Sequence, residues 1–188
     1  MAHLLRDLAP LLVLLPAITL LSCAATPDHH QAKEERTEPP PAIRAWMDRL
    51  TVPHEYDPET GFIVARQTIA LPAILTDAPR LDEALEQASR NQRLVIAFAT
   101  ADRCAPCQQY KKDALNDERV LARLADPRLL PTHVEVDREP ALADAHLGGR
   151  AIPMTYALRH GRVTSTLRGQ RSPEELLHWL ETVLAEAL

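Results

Sequence analysis

The spacing of apolar and polar positions divides the chain into an apolar start, a polar stretch and a body of alternating helix and strand signatures. Leu8 to Leu21 is apolar apart from Pro10, Pro16 and Thr19. That is short of the roughly 20 residues that cross a bilayer as a helix, and it matches the core of an export signal. Residues 24–41 are charged and polar, with His29-His30 and the run Pro39-Pro40-Pro41. Such a segment buries too little apolar surface to offset its ordering entropy, which predicts a tether stiffened toward polyproline II near its end.

From Ile43 the pattern becomes that of a folded body. Ile43, Trp46, Met47 and Leu50 make the stripe of a short amphipathic helix. Residues 51–61, with Pro53, Pro58 and Gly61, are expected to be turn-rich, and Phe62 to Leu71 to be a strand ended by Pro72. Leu81, Ala84, Leu85 and Ala88 predict a helix capped by Thr76 or Asp77, and the unbroken run Leu94 to Ala99 predicts a strand buried on both faces. A helix over residues 108–115 follows, then a segment through Val120, Leu121 and Leu124 capped by Asn116. Leu129 to Val136 is a second central strand, and a loop and helix start near Pro140. Residues 154–158 and 163–167 form a hairpin turning at Gly161. Ser172, Pro173 and Glu175 then specify the start of a final helix whose stripe is Leu176, Leu180, Val183, Leu184 and Ala187.

Composition narrows the function. The chain of 188 residues is 46% hydrophobic and carries a net charge of −5 without any Lys/Arg cluster, which excludes a phosphate-binding nucleic-acid surface. Its three cysteines are an odd number, so one needs a separate role. His29-His30 lacks the further ligands a metal site requires, and His133, His146, His160 and His178 are scattered, so no metal is expected.

The chemistry concentrates at Asp102-Arg103-Cys104-Ala105-Pro106-Cys107, where the buried run gives way to a helix. Residues i and i+3 share a helix face, near the Cα separation of roughly 4.4–6.8 Å that a disulfide needs. The first thiol also meets unpaired N–H groups and the positive end of the helix dipole, which favour thiolate. Cys104 is therefore the expected nucleophile and Cys107 its resolving partner.

Two resemblances extend this reading. Leu20-Leu21-Ser22-Cys23 resembles the lipobox of bacterial lipoproteins, which implies cleavage before Cys23 and its lipidation; an ordinary cleaved signal or short anchor is the alternative. Ala24 after it implies sorting to the outer membrane, on the periplasmic side of the envelope. Residues 62–188 resemble the thioredoxin-like superfamily through the CxxC, Asp137 and Pro140, and Gly149-Arg150-Ala151-Ile152-Pro153 before a hairpin with Gly161 and Gly169. Ala101-Asp102, Asn116-Asp117-Glu118-Arg119-Val120 and Leu124-Ala125-Asp126 are similar to the periplasmic C-terminal thioredoxin domain of the membrane thiol reductant transporter. The implied architecture is α/β, a central mixed sheet flanked by helices. A signal peptide (1–22), a lipidated tether (23–41) and a short-helix, turn-rich lead-in (42–61) precede it.

The resemblance further implies a cis Ile152-Pro153 bond beside the disulfide, with the backbone before it pairing to substrate; a trans proline opening an edge strand is the alternative. Arg103 replaces the family's Trp, and either lowers the Cys104 pKa and attracts acidic substrates or is simply solvated. Phe98 replaces a buried Asp that serves proton transfer, and Lys112 replaces a helix-kinking Pro, so a straighter helix is expected. The implied activity is thiol–disulfide exchange on protein disulfides with no cofactor beyond the Cys104–Cys107 couple, supplied by a membrane reductant relay. A non-catalytic binding module and a Cu(I)-delivering metallochaperone are the alternatives.

Overall fold

The computed structural model describes residues 38–186. The expected export signal, Cys23 and the expected tether up to residue 37 lie outside the described residues, as does Ala187 at the other end. The lead-in begins with helix α1 (Pro41–Met47), which opens on a proline whose missing N–H has no intrahelical role in a first turn. Ile43, Trp46 and Met47 pack partly buried beside the buried Leu50, so the stripe faces inward. Residues 51–61 depart from expectation, because they contain strand β1 (His54–Asp57), which pairs antiparallel with β2 (Phe62–Ala65). Asp57 closes this hairpin: one carboxylate oxygen accepts the Glu59 N–H at 2.9 Å and the other the Thr60 hydroxyl at 2.6 Å. Gly61 supplies the positive φ of 73° that the turn needs. The strand expected over 62–71 therefore stops at Ala65 and belongs to a separate two-stranded sheet.

A short helix α2 (Ala73–Thr76) precedes α3 (Leu81–Asn91). Thr76 and Asp77 thus end one helix instead of capping the next, which starts after Arg80 without a side-chain cap. Strand β3 (Leu94–Thr100) is buried along its whole length. It feeds α4 (Ala105–Tyr110), which runs directly into a wider π-helical turn at Lys111–Leu115. The absence of proline at 112 thus does not yield a uniform α-helix. The next helix, α5 (Glu118–Leu124), is capped by Asp117, whose side chain accepts the Arg119 and Val120 N–H groups. Asn116 is engaged elsewhere: its amide donates to the Ala70 carbonyl at 3.0 Å and the Lys111 carbonyl at 2.9 Å.

Strand β4 (Leu129–Glu135), helix α6 (Pro140–Leu142) with its π-helical continuation at Ala143–Leu147, strands β5 (Met154–Arg159) and β6 (Arg162–Arg168), and helix α7 (Pro173–Glu186) complete the chain. The central sheet has the order β4-β3-β5-β6, with β3 parallel to β4 and the other pairs antiparallel. Strand β4 is an edge and not the second central strand expected, which is why Pro131 is tolerated within it. Alternation along β3 sends Ile96 and Phe98 into a core with Tyr110, Leu124 and Leu180. Val95, Ala97 and Ala99 pack instead with Leu81, Ala84 and Leu147. Helices thus cover both faces of a mixed sheet, the expected α/β thioredoxin-like architecture. Helix α7 begins with the reciprocal pair foreseen: Ser172 Oγ accepts the Glu175 N–H at 3.2 Å, and the Glu175 carboxylate accepts the Ser172 N–H at 2.9 Å.

Candidate active site

The site sits where β3 ends. Residues 101–103 turn out of the sheet, and Cys104 stands at the N-cap of α4 in extended geometry, φ −83° and ψ 110°. Its Sγ accepts the Cys107 N–H at 3.2 Å, the position a capping oxygen takes in other helices. That contact and the helix dipole both favour negative charge on this sulfur. Cys104 is bonded to Cys107 across a Cα separation of 5.2 Å. The two sulfurs differ in access: Cys104 is half-buried, whereas Cys107 is fully buried.

The Ile152-Pro153 peptide is cis, and Pro153 lines the same groove as Cys104, of about 610 Å³. Ile152 and Arg103 line it too. The Gly169 N–H donates to the Pro153 carbonyl at 2.9 Å, which ties this turn to the end of β6. Arg103 is largely exposed and its Nε lies 3.1 Å from Asp137, so its charge is partly answered by a carboxylate. Exposed pairs of this kind are worth little in stability.

A polar cluster beneath the loop was not foreseen. Lys111 is almost fully buried, with its ammonium 3.2 Å from Asp102, and Asp102 also engages Arg138. Glu135 accepts the Asp102 N–H at 3.1 Å, and its other oxygen has no hydrogen-bond partner among the described residues. Burial raises the Glu135 carboxyl above its ordinary range, against the opposing backbone hydrogen bond. His133 is pushed down to about 4, first by burial and then by the Lys111 charge; its Nε2 lies 2.7 Å from the Thr100 hydroxyl. Phe98 is fully buried, and Tyr110 beneath it has its hydroxyl 2.9 Å from that of Thr155. Burial raises the Tyr110 phenol well above its usual range.

Two glutamines were also missed. Every residue of α4 is buried, so its polar side chains must find partners. Gln108 accepts the Ile69 N–H at 2.7 Å and donates to the Ala101 and Asp102 carbonyls at 3.2 and 2.9 Å. Gln109 accepts the Thr51 and Val52 N–H groups at 2.7 and 3.0 Å. The signal was present as Gln-Gln directly after a cysteine in a helix too short to carry a solvent face. Among the described residues, no three His, Cys, Asp or Glu side chains group as metal ligands would.

A family model described as a thioredoxin-like domain matches residues 81–184. A thioredoxin from Thermus thermophilus is similar at 26% identity, over 57% of this chain and 86% of that one, with a TM-score of 0.50. A poplar thioredoxin h shares 29% identity over 57% of this chain and 89% of its own, with a TM-score of 0.43. A disulphide isomerase from Xylella fastidiosa shares 19% over 55% and 88%, with a TM-score of 0.46. No curated protein matches the chain. A CxxC pair at disulfide distance in this fold fits a thiol–disulfide oxidoreductase. The chain belongs to the thioredoxin-like domain family.

Proposed function

We propose that this protein exchanges thiols and disulfides on protein substrates in the bacterial envelope, through Cys104 and Cys107. The observation that carries the reading is the asymmetry of the pair: a reachable sulfur capping a helix, joined to a sealed one, beside a cis proline. In the reducing direction the Cys104 thiolate attacks one sulfur of a substrate disulfide and releases the other as thiolate. Cys107 then gives up its proton and displaces the bound substrate sulfur, so two electrons leave the pair and the Cys104–Cys107 bond forms. With Phe98 in the apolar core, another group or water takes that proton. No cofactor is required beyond the couple itself, and, as the family resemblance implies, the backbone at Ile152 pairs with a substrate strand.

The envelope assignment rests on the apolar run over residues 8–21 and on Cys23 as a lipid anchor, outer membrane by its neighbour Ala24. A reducing role there needs electrons delivered across the membrane, hence a membrane thiol reductant relay as partner. The second reading is a static binding module, which Phe98 favours. Titrating the couple against glutathione while following turnover of a protein disulfide, with Cys104→Ser as control, separates them. Exchange with turnover supports the proposal, and a bridge that persists in strong reductant supports the module. Stoichiometric Cu(I) binding without turnover would support metal delivery instead.

A further inference from the structure

The β1–β2 hairpin lies outside the family match, yet it is built into the site. The Ala65 N–H donates to the Arg103 carbonyl at 2.7 Å, and Val64 pairs antiparallel with Cys104. One edge of the Cys104 backbone is therefore occupied, and the groove open to a substrate runs from the hairpin past Cys104 to Pro153. Phe62 lies two residues from Val64, on the same face of β2, and it lines the groove while 62% exposed. A single exposed phenylalanine is unremarkable in itself. This one stands beside the sulfur that reacts. On the Pro153 side the groove is lined by Arg168, opposite Met154 in the β5–β6 register. Arg103 and Arg150 have Asp137 and Asp144 as partners, whereas Arg168 has no carboxylate partner among the described residues.

We propose that Phe62 of this hairpin and Arg168 of β6 together select the substrate, and that the groove takes an extended segment of a protein disulfide with an apolar residue and a carboxylate flanking its cysteine. The apolar side chain covers Phe62, and the carboxylate meets Arg168. This rests on the exchange reading above. The selected step is balanced within that chemistry: the reduced chain forms its Cys104–Cys107 bond as the substrate disulfide takes up two electrons and two protons.

The test is a single-turnover measurement with the purified, prereduced chain and symmetric peptide dimers joined by one disulfide. The peptides carry Leu or Ser beside the cysteine and Asp or Lys beyond it. Wild type is expected to prefer Leu over Ser about tenfold, from burying part of an aromatic contact. It is expected to prefer Asp over Lys about threefold, with that preference fading in salt. Phe62→Ser should abolish the first preference and keep the second, and Arg168→Gln should do the reverse. A small aromatic disulfide, too short to span the groove, reports whether wild type exchanges at all. If it is reduced while the peptide preferences are absent or survive both substitutions, the hairpin inference is overturned and exchange stands. If wild type reduces neither it nor any peptide, the exchange reading is overturned and this inference falls with it.

Discussion

Replacing Gln109 by Leu removes the contact that most directly joins the lead-in to the active-site helix. Leucine is close to glutamine in volume, so the change leaves little cavity and isolates the polar contribution. Gln109 is almost fully buried and accepts the N–H groups of Thr51 and Val52 at 2.7 and 3.0 Å. Thr51 is exposed and its N–H can turn to water, so its loss costs about 1 kcal/mol. Val52 is 3% exposed, and stranding its N–H costs about 1–3 kcal/mol. The sum for these two N–H groups is about 2–4 kcal/mol, opposed by a modest gain from an apolar side chain in the same space. The amide's donations to the Thr51 hydroxyl at 3.0 Å and the Asp113 carboxylate at 2.7 Å are also lost, but both acceptors are exposed and turn to water. It falls on the lead-in, because Leu50, Val52 and Ile63 form a cluster separate from the two cores that flank the sheet. Amide hydrogen exchange resolves this: protection over residues 50–65 should drop by about thirtyfold or more, while β3 keeps its wild-type rates. Unchanged exchange over residues 50–65 would refute the view that Gln109 holds the hairpin in place.

Three further outcomes follow from the same geometry. His133 has a folded pKa of about 4, below the ordinary value near 6.5, so its neutral form stabilises the fold fully above pH 6.5. That contribution, at most about 3 kcal/mol, is lost as pH falls from 6.5 toward 4, and urea denaturation of His133→Gln should show a correspondingly flatter acid limb. The Asp117→Ala variant loses the α5 cap and should unfold about 1 kcal/mol more easily, read from the urea midpoint at constant m. Brief iodoacetamide treatment of the reduced native chain, followed by peptide mass mapping, should label Cys104 and leave the sealed Cys107 unmodified until denaturant is added.

Much of the architecture could be read from the chain because local and global signals agree. The run Leu94 to Ala99 is apolar without interruption because helices cover both faces of β3, and Ser172, Pro173 and Glu175 mark a helix start by chemistry alone. Errors gathered where tertiary contacts decide. Pro53 and Pro58 suggested only turns, but a strand lies between them and the Asp57 side chain organises the hairpin turn in which Pro58 sits. Asn116 has a good capping side chain, yet carbonyls at Ala70 and Lys111 claim it, and Asp117 caps instead. At the site, Cys104, Cys107, Ile152 and Pro153 were all legible as a spaced pattern, and the structure brings them to one place. The cluster of Lys111, Asp102 and Glu135 was not, because Glu135 comes from a different strand and all three are ordinary as residue types. Burial, visible only in three dimensions, makes them unusual.

The central claim is that exchange runs through a covalent bond at Cys104 that Cys107 resolves. The most direct measurement is to mix reduced Cys107→Ser chain with a protein disulfide and map any covalent adduct by mass. A trapped mixed disulfide at residue 104, absent in Cys104→Ser, is the predicted result. No adduct, or one carried by Cys107 when Cys104 is replaced, would contradict it.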